Sequence, residues 1–236
     1  MDTKTRHALK QDRFVEATAS SLDWLQDHRR NTIIAAVSVV VLAAIVITGV
    51  VIYNSRLSKA EALFGQAMDI YNTPLAQPGQ EIAPGQKTYA TAAARAKAAN
   101  PLFVQVADHY DWFKVGKNAE YFAGLTYLDM GETATAEKEL DGAVHSGNSG
   151  LEALAKMALA GLYRQTGRDD QAVALYKQVI KHPTVTVPAP AAQLELAGLY
   201  EATNPAEAKK IYAQVKDQNK DSIAGQIAAQ KLGGGK

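Results

Sequence analysis

Residues 33–53, from Ile33 to Tyr53, read IIAAVSVVVLAAIVITGVVIY, 21 positions without a charge, of which thirteen are Ile, Val or Leu. At about 1.5 Å of rise per residue, a helix of that length covers roughly 31 Å, the thickness of a bilayer's hydrocarbon core. At roughly −0.3 to −0.6 kcal/mol for each large aliphatic residue, insertion is favourable by about 4 to 8 kcal/mol. The run is rich in β-branched residues, which favour a strand in water. In lipid a lone segment must satisfy its own backbone hydrogen bonds, so it becomes a helix. A soluble core helix keeps one polar face, and this stretch has none. The sequence therefore predicts one transmembrane helix over residues 32–55. Its length exceeds the apolar core of a cleaved signal peptide, so the helix is expected to persist as an anchor.

Charge and cysteine content narrow what the rest can do. The chain holds 25 Lys and Arg against 24 Asp and Glu, and no Cys. Such a balance gives no electrostatic footprint for nucleic acid. Without cysteine there is no disulfide framework, thiolate metal site or cysteine nucleophile. Residues 1–31 carry Lys4, Arg6, Lys10, Arg13, Arg29 and Arg30, whereas only Arg56 and Lys59 follow closely beyond the apolar run. That asymmetry favours a cytoplasmic N-terminus and a C-terminal part outside the cytoplasm. Phe14, Ala17, Ser21, Leu22, Trp24 and Leu25 fall near helical spacing, which predicts a short amphipathic helix over residues 14–30.

Beyond Arg56 the pattern is that of soluble helices. Ala60, Leu63, Phe64, Ala67, Met68 and Tyr71 form an i, i+3, i+4 stripe continuous with the apolar run, and Thr73-Pro74 should end it. Residues 74–87 hold two Pro-Gly pairs and read as a loop. A second helix is expected over residues 88–110, kinked or divided at Asn100-Pro101. The chain then repeats itself: Tyr127 and Gly131 recur 36 residues later as Tyr163 and Gly167, and Tyr163 recurs 37 residues later as Tyr200. A period near 35 with turn residues halfway through each copy means stacked helical hairpins.

These copies resemble tetratricopeptide (TPR) repeats. The small, aromatic and turn positions of that motif fall on Gly124, Tyr127, Gly131, Ala136, Leu140 and Ala143. In the second copy they fall on Ala160, Tyr163, Gly167, Ala172, Tyr176 and Val179; in the third, on Ala197, Tyr200, Asn204, Ala208, Tyr212 and Val215. The sequence departs from the motif at its first aromatic position, held by Glu120, Lys156 and Gln193. The resemblance covers residues 118–216, with residues 57–110 as a divergent copy and residues 222–232 as a capping helix. The expected fold is all-α: an N-terminal transmembrane helix followed by a TPR-like α-solenoid. Residues 1–31 form the cytoplasmic segment, 32–55 the span, 56–232 the repeat domain and 233–236 a disordered tail.

The sequence offers no catalytic or metal constellation. His7, His28, His109, His145 and His182 are scattered, and no Walker loop, GxSxG or GxGxxG occurs. No cofactor and no enzymatic activity are expected. The TPR resemblance implies instead a partner-binding groove. It is lined by Asn118, Tyr121, Leu125, Leu128 and Asp129; by Leu154, Met157, Gly161, Arg164 and Gln165; and by Ala191, Leu194, Gly198, Glu201 and Ala202. That set is mostly apolar and lacks the Lys and Arg cluster that clamps a C-terminal carboxylate. Alternatively, Leu154, Met157 and Leu194 pack against the array's own last helix.

In layout, a short Trp-containing segment, DWLQDHRRN, one span and a TPR-like array are similar to the ancillary subunit of the bacterial Sec translocon. That resemblance implies a single-pass protein of the bacterial inner membrane with its repeats in the periplasm. Its implied partners are the translocon, a periplasmic chaperone or secreted clients, besides the lipid around the span; nucleic acid is not expected. The alternatives are an envelope-assembly scaffold and an accessory subunit of a membrane enzyme complex.

Overall fold

The computed structural model describes residues 29–76, 85 and 87–234. Two compact units, Met1–Arg56 and Leu57–Lys236, make up the chain. All regular structure among the described residues is helical. The helices are α1 (Arg29–Tyr71), α2 (Ala92–His109), α3 (Lys114–Asp129), α4 (Thr133–Val144), α5 (Ser149–Gln165), α6 (Asp169–Lys181), α7 (Ala189–Thr203), α8 (Pro205–Gln218) and α9 (Ile223–Gly233).

The first unit is described through α1 as far as Arg56. No residue of its most apolar window is buried. Val40 is 67% exposed and Ile47 63%, and nothing among the described residues covers them. This helix is long and apolar enough to cross a membrane. The amphipathic helix expected over residues 14–30 lies outside the described residues up to position 28; Arg29 and Arg30 open α1.

In the second unit the end of α1 buries the stripe read from the sequence. Ala60 and Ala67 are fully buried, and Leu63, Phe64, Met68 and Tyr71 pack against the same cluster. Four rings join α1 to the next two helices. Phe64 meets Phe103 and Phe122 edge-on at 5.6 and 5.8 Å, Tyr71 meets Phe122 at 5.6 Å, and Phe103 stacks on Phe122 at 5.3 Å. Edge-to-face and offset-stacked contacts each contribute about 0.5–1.5 kcal/mol beyond the area they bury.

The second helix starts four residues later than expected. It begins at Ala92 because Tyr89 is held in an isolated bridge to Leu75, with Tyr89 N–H donating to Pro74 O at 3.1 Å. Thr91 then caps the helix, its hydroxyl accepting from Ala94 N–H at 3.1 Å. Nor does Pro101 divide α2. The ring costs one backbone hydrogen bond, to Lys97 C=O, but the helix buries Ala96, Ala99, Phe103 and Val106, and those contacts hold it together. Asn100, also buried, donates through Nδ2 to Thr126 Oγ1 at 2.9 Å.

From α3 onward the hairpins α3/α4, α5/α6 and α7/α8 follow the repeat period. Two of them turn through a glycine at positive φ, Gly131 at 80° and Gly167 at 72°. There Glu132 N–H donates to Tyr127 O at 2.9 Å and Arg168 N–H to Tyr163 O at 2.7 Å, closing the last carbonyls of each first helix. The third hairpin turns in a single residue. Asn204 ends α7 through its N–H to Tyr200 O and starts α8 by accepting from Glu207 N–H, with Pro205 at the first helical position. Asn148 caps α5 in the same way, and Ser222 caps α9. The last helix runs one residue past its expected end, so Gly233 belongs to it rather than to the tail.

Small residues set the spacing between paired helices. A Cβ on Gly124 would lie 2.7 Å from Leu140 Cγ and 3.2 Å from its backbone nitrogen. Glu120, where the motif carries a large aromatic, lies over Gly142: a Cβ there would collide with its carboxylate. Neighbouring hairpins are also tied by Arg168. Its guanidinium makes two 2.8 Å bonds to Glu137 and stacks 4.3 Å over the Tyr163 ring, the paired, planar geometry that arginine alone supplies.

Two glycines in equivalent helices should respond oppositely to alanine. At Gly161 nothing lies within 4 Å of the place a Cβ would take, so Gly161→Ala should stabilise by about 0.5–1 kcal/mol. Gly124→Ala gains the same propensity but overpacks against Leu140, which costs about 1–3 kcal/mol, for a net loss of about 1 kcal/mol. Urea unfolding of the full chain, followed by circular dichroism, measures both.

Candidate functional site

The candidate residues lie on the first helix of each hairpin, α3, α5 and α7, and none of them is fully buried. The second helices supply buried partners to each first helix: Leu140 and Ala143 from α4, Tyr176 and Val179 from α6, and Ile211, Tyr212 and Val215 from α8.

At the α3 end, Asn118 borders a cavity of about 280 Å³ shared with Trp112, Phe113, Lys117 and Leu151. Trp112 is 66% exposed there, its ring 5.0 Å from that of Phe113. Tyr121 packs edge-on against Phe122 at 5.3 Å. Leu125, Leu128 and Asp129 are half-buried. Burial pushes the Asp129 carboxyl above its ordinary range, and the positive charge of Arg95 offsets part of that. Burial likewise raises the phenols of Tyr71 and Tyr121, and the two rings lie close enough for one to act on the other. The charge of Arg95 thus acts on Asp129, and Tyr71 acts on Tyr121; both Tyr71 and Arg95 belong to the divergent hairpin, and sequence reasoning missed them as neighbours of this face. No motif position could be carried onto that hairpin, because its loop is long and its second helix starts late.

In the middle, Leu154 and Met157 pack against Ala153, Val179, Val187 and Ala192. Met157 also borders the cluster that includes Ala228 of α9, as does Leu194, whereas Leu154 packs only on the first of these clusters. Gly161 leaves open space above the helix, and a Cβ on Gly198 would meet only the Tyr212 hydroxyl, at 3.8 Å.

The α7 end is charged. Arg164 lies 3.7 Å from Glu195, and Gln165 and Ala202 are exposed. Glu201 accepts from Lys231 Nζ at 3.0 Å and from the Tyr212 hydroxyl at 2.9 Å. These bonds, Lys231 first and Tyr212 second, hold the Glu201 carboxyl below its ordinary range. The buried Tyr176 phenol is pushed up to about 12, chiefly by desolvation. Lys231 reaches this face from the capping helix, a contact that a repeat pattern ending at residue 216 does not contain. Among the described residues, no group of three or more His, Asp or Glu side chains is placed to hold a metal ion.

The Glu201 contacts generate a pH-dependent effect. Its pKa is lower in the folded chain than in the unfolded one, so its contribution is full above the ordinary value of 4.5 and is lost as pH falls through the folded value. Glu201→Gln keeps an acceptor for Tyr212 but loses the pairing with Lys231. Both side chains are nearly half exposed, so the loss at neutral pH should be about 0.5 kcal/mol. The difference from the parent chain should vanish in acid and shrink in high salt, as thermal unfolding at several pH values would show.

The tetratricopeptide repeat family model matches residues 154–183 and 191–222, the stretches holding α5/α6 and α7/α8. No curated protein sequence matches the chain. Among solved structures, the chain is similar to a Podosopora anserina protein described as a kinesin light chain with nearly identical TPR-like repeats. Identity is 18%, the TM-score is 0.55, and the match covers 74% of this chain and 84% of that one. A single-substitution form of the same protein matches at 17% identity with the same TM-score and coverage. At such identity the likeness is one of fold: the hairpins of this chain form a TPR-like α-solenoid.

Proposed function

We propose that this protein is a membrane-anchored, non-enzymatic adaptor that holds protein partners on the first-helix face of its repeats. The observation that carries the reading is the uncovered apolar stretch of α1, with no residue of its most apolar window buried. Leaving thirteen large aliphatic side chains in water is costly, and a bilayer removes that cost. TPR repeats supply the second half, since stacked hairpins of this kind present extended surfaces to other polypeptides.

The finer reading follows the charges and the layout. The basic N-terminal segment is cytoplasmic, the repeats lie in the periplasm of a bacterial cell, and the partners belong to the Sec translocon, to a periplasmic chaperone or to the clients passing between them. Fixed at the membrane surface, the repeats meet such partners at high effective concentration, so a weak contact suffices.

Photocrosslinkers placed at Tyr121 and Met157 in native membranes test this reading. Crosslinks to translocon or chaperone components are expected. Crosslinks confined to wall-synthesis or outer-membrane assembly proteins would replace it with the scaffold reading, and crosslinks confined to the subunits of one membrane enzyme would make the chain an accessory subunit. Extraction with carbonate should leave the chain in the membrane pellet, and its release into the supernatant would remove the anchor. Gly161→Leu fills the open space on the face that also carries Met157 and should cut crosslinking from that position severalfold while circular dichroism is unchanged.

A further inference from the structure

We propose that the repeat unit touches the lipid surface with Trp112, Val185 and Ile223, three apolar side chains that stand along one edge of the array. This rests on the membrane anchor proposed above and adds a second contact with the bilayer.

The edge is defined by the direction of the helices. The Arg95 guanidinium sits 5.1 Å from the Tyr71 ring centre, and Phe64 meets Phe103 at 5.6 Å. Moving forward along α2 therefore means moving back along α1, so the two run antiparallel and Leu57 falls level with Tyr110. Leu57 and Tyr110 border one buried cluster, which also contains Phe113. The loop after α2 thus lies on the edge at which the chain enters the repeat unit. Later connections between hairpins continue along it. A cavity of about 280 Å³ runs from Trp112 and Phe113 to Ser146, Asn148 and Leu151, at the start of α5. A Cβ on Gly150 would lie 2.7 Å from Thr186 Oγ1, so the loop before α7 adjoins the start of α5. Since α8 turns back on α7 at Asn204, it delivers the connection to α9 to the same edge.

Exposed apolar residues follow that edge. Among the described residues after Arg56, three large hydrophobic side chains are more than half exposed: Trp112 at 66%, Ile223 at 77% and Val185 entirely. They stand in the connections before α3 and α7 and at the first position of α9. The turns at Gly131, Gly167 and Asn204, on the opposite edge, carry no apolar side chain exposed to that extent. Each tip also has an exposed lysine within four residues, Lys114, Lys181 or Lys220. None of the three makes an ion pair among the described residues. An apolar side chain beside a free lysine suits the boundary of a bilayer, where the one enters the acyl region and the ammonium stays among headgroups. Asp111 and Asp221 stand in these loops too, so apolar insertion carries the contact rather than net charge.

The chain itself selects the occupant. Four residue steps lead from Tyr53, the end of the apolar run, to Leu57, and they reach at most about 14 Å. Lipid is therefore close to this edge in whatever direction the anchor leaves it, whereas a protein partner has first to be recruited.

The test places the full chain in proteoliposomes of phosphatidylcholine and phosphatidylglycerol, with no other protein present. The chain has two tryptophans, and Trp24→Phe leaves Trp112 as the only one. Its emission should lose most of its intensity when lipids brominated high on their acyl chains replace ordinary ones. Because the chain has no cysteine, Val185→Cys and Ala134→Cys each give a single spin-label site, the second exposed near the Gly131 turn. The label at 185 should favour collision with oxygen over an aqueous nickel chelate severalfold more than the label at 134 does. Unchanged Trp112 intensity in brominated lipid would overturn the contact, as would matching behaviour of the two labels. Unquenched Trp112 emission that shifts to the blue as protein is added would give the edge to a second copy of the chain and likewise overturn the lipid contact. Flotation separates this proposal from the reading beneath it. A chain that does not float with the vesicles loses the anchor and the contact together; one that floats with Trp112 unquenched loses the contact alone.

Discussion

The repeat domain depends on how closely its helices approach, and that distance is set by alanine. Ala99, Ala119, Ala123, Ala136, Ala143, Ala160, Ala172, Ala192, Ala197 and Ala228 are each fully buried, and they recur in every hairpin. An alanine at a helix crossing brings the backbones together, and larger residues then fill the flanks at close-packed density. Leu140, Tyr176 and Tyr212 play that filling role from the second helices, and each is almost wholly buried. The arrangement has little tolerance. A methyl group is absorbed where nothing lies above the helix, as at Gly161, and is rejected where Leu140 already occupies the space, as at Gly124.

Packing against the second helices leaves none of the candidate residues fully buried, and what varies along them is chemistry. The end near α7 is closed by its own contacts, Glu201 with Lys231 and Tyr212, and Arg164 with Glu195. Near the α3 end, Arg95 donates to Thr73 O and sits over the Tyr71 ring. An ion pair at the exposed end contributes little beyond geometry.

Much of this was legible in the chain itself, and for identifiable reasons. The hairpins were readable because their turns are chemically marked, by Gly131 and Gly167 at positive φ and by the Asn204-Pro205 cap. The apolar length of α1 was readable because its composition admits few alternatives. Local signals failed where tertiary contacts overrode them. Pro101 is a helix breaker by propensity, yet α2 runs through it, since the buried side chains before it (Ala96, Ala99 and Asn100) and after it (Phe103 and Val106) outweigh one missing hydrogen bond. Tyr89 fits a helical pattern, yet its bridge to the segment after α1 delays the helix to Ala92. The candidate face was only half legible. Positions could be carried onto three regular hairpins, but Tyr71 and Arg95 sit in the divergent one, and Lys231 arrives from beyond the last repeat.

The divergent hairpin is where the two halves of the molecule's chemistry meet in sequence. One continuous helix, α1, carries the exposed apolar run at its beginning and the buried stripe ending in Tyr71 at its end. Twenty residues separate α1 from α2, where the regular hairpins use a short glycine turn at Gly131 and Gly167. Loop length costs little, since closure entropy grows only with the logarithm of length. It gives the end of α1 and the start of α2 freedom from the repeat's own turn geometry. Thr73 and Arg95 can then bond to each other across the loop, which fixes the guanidinium beside Tyr71 while its Nε–H is left without an acceptor.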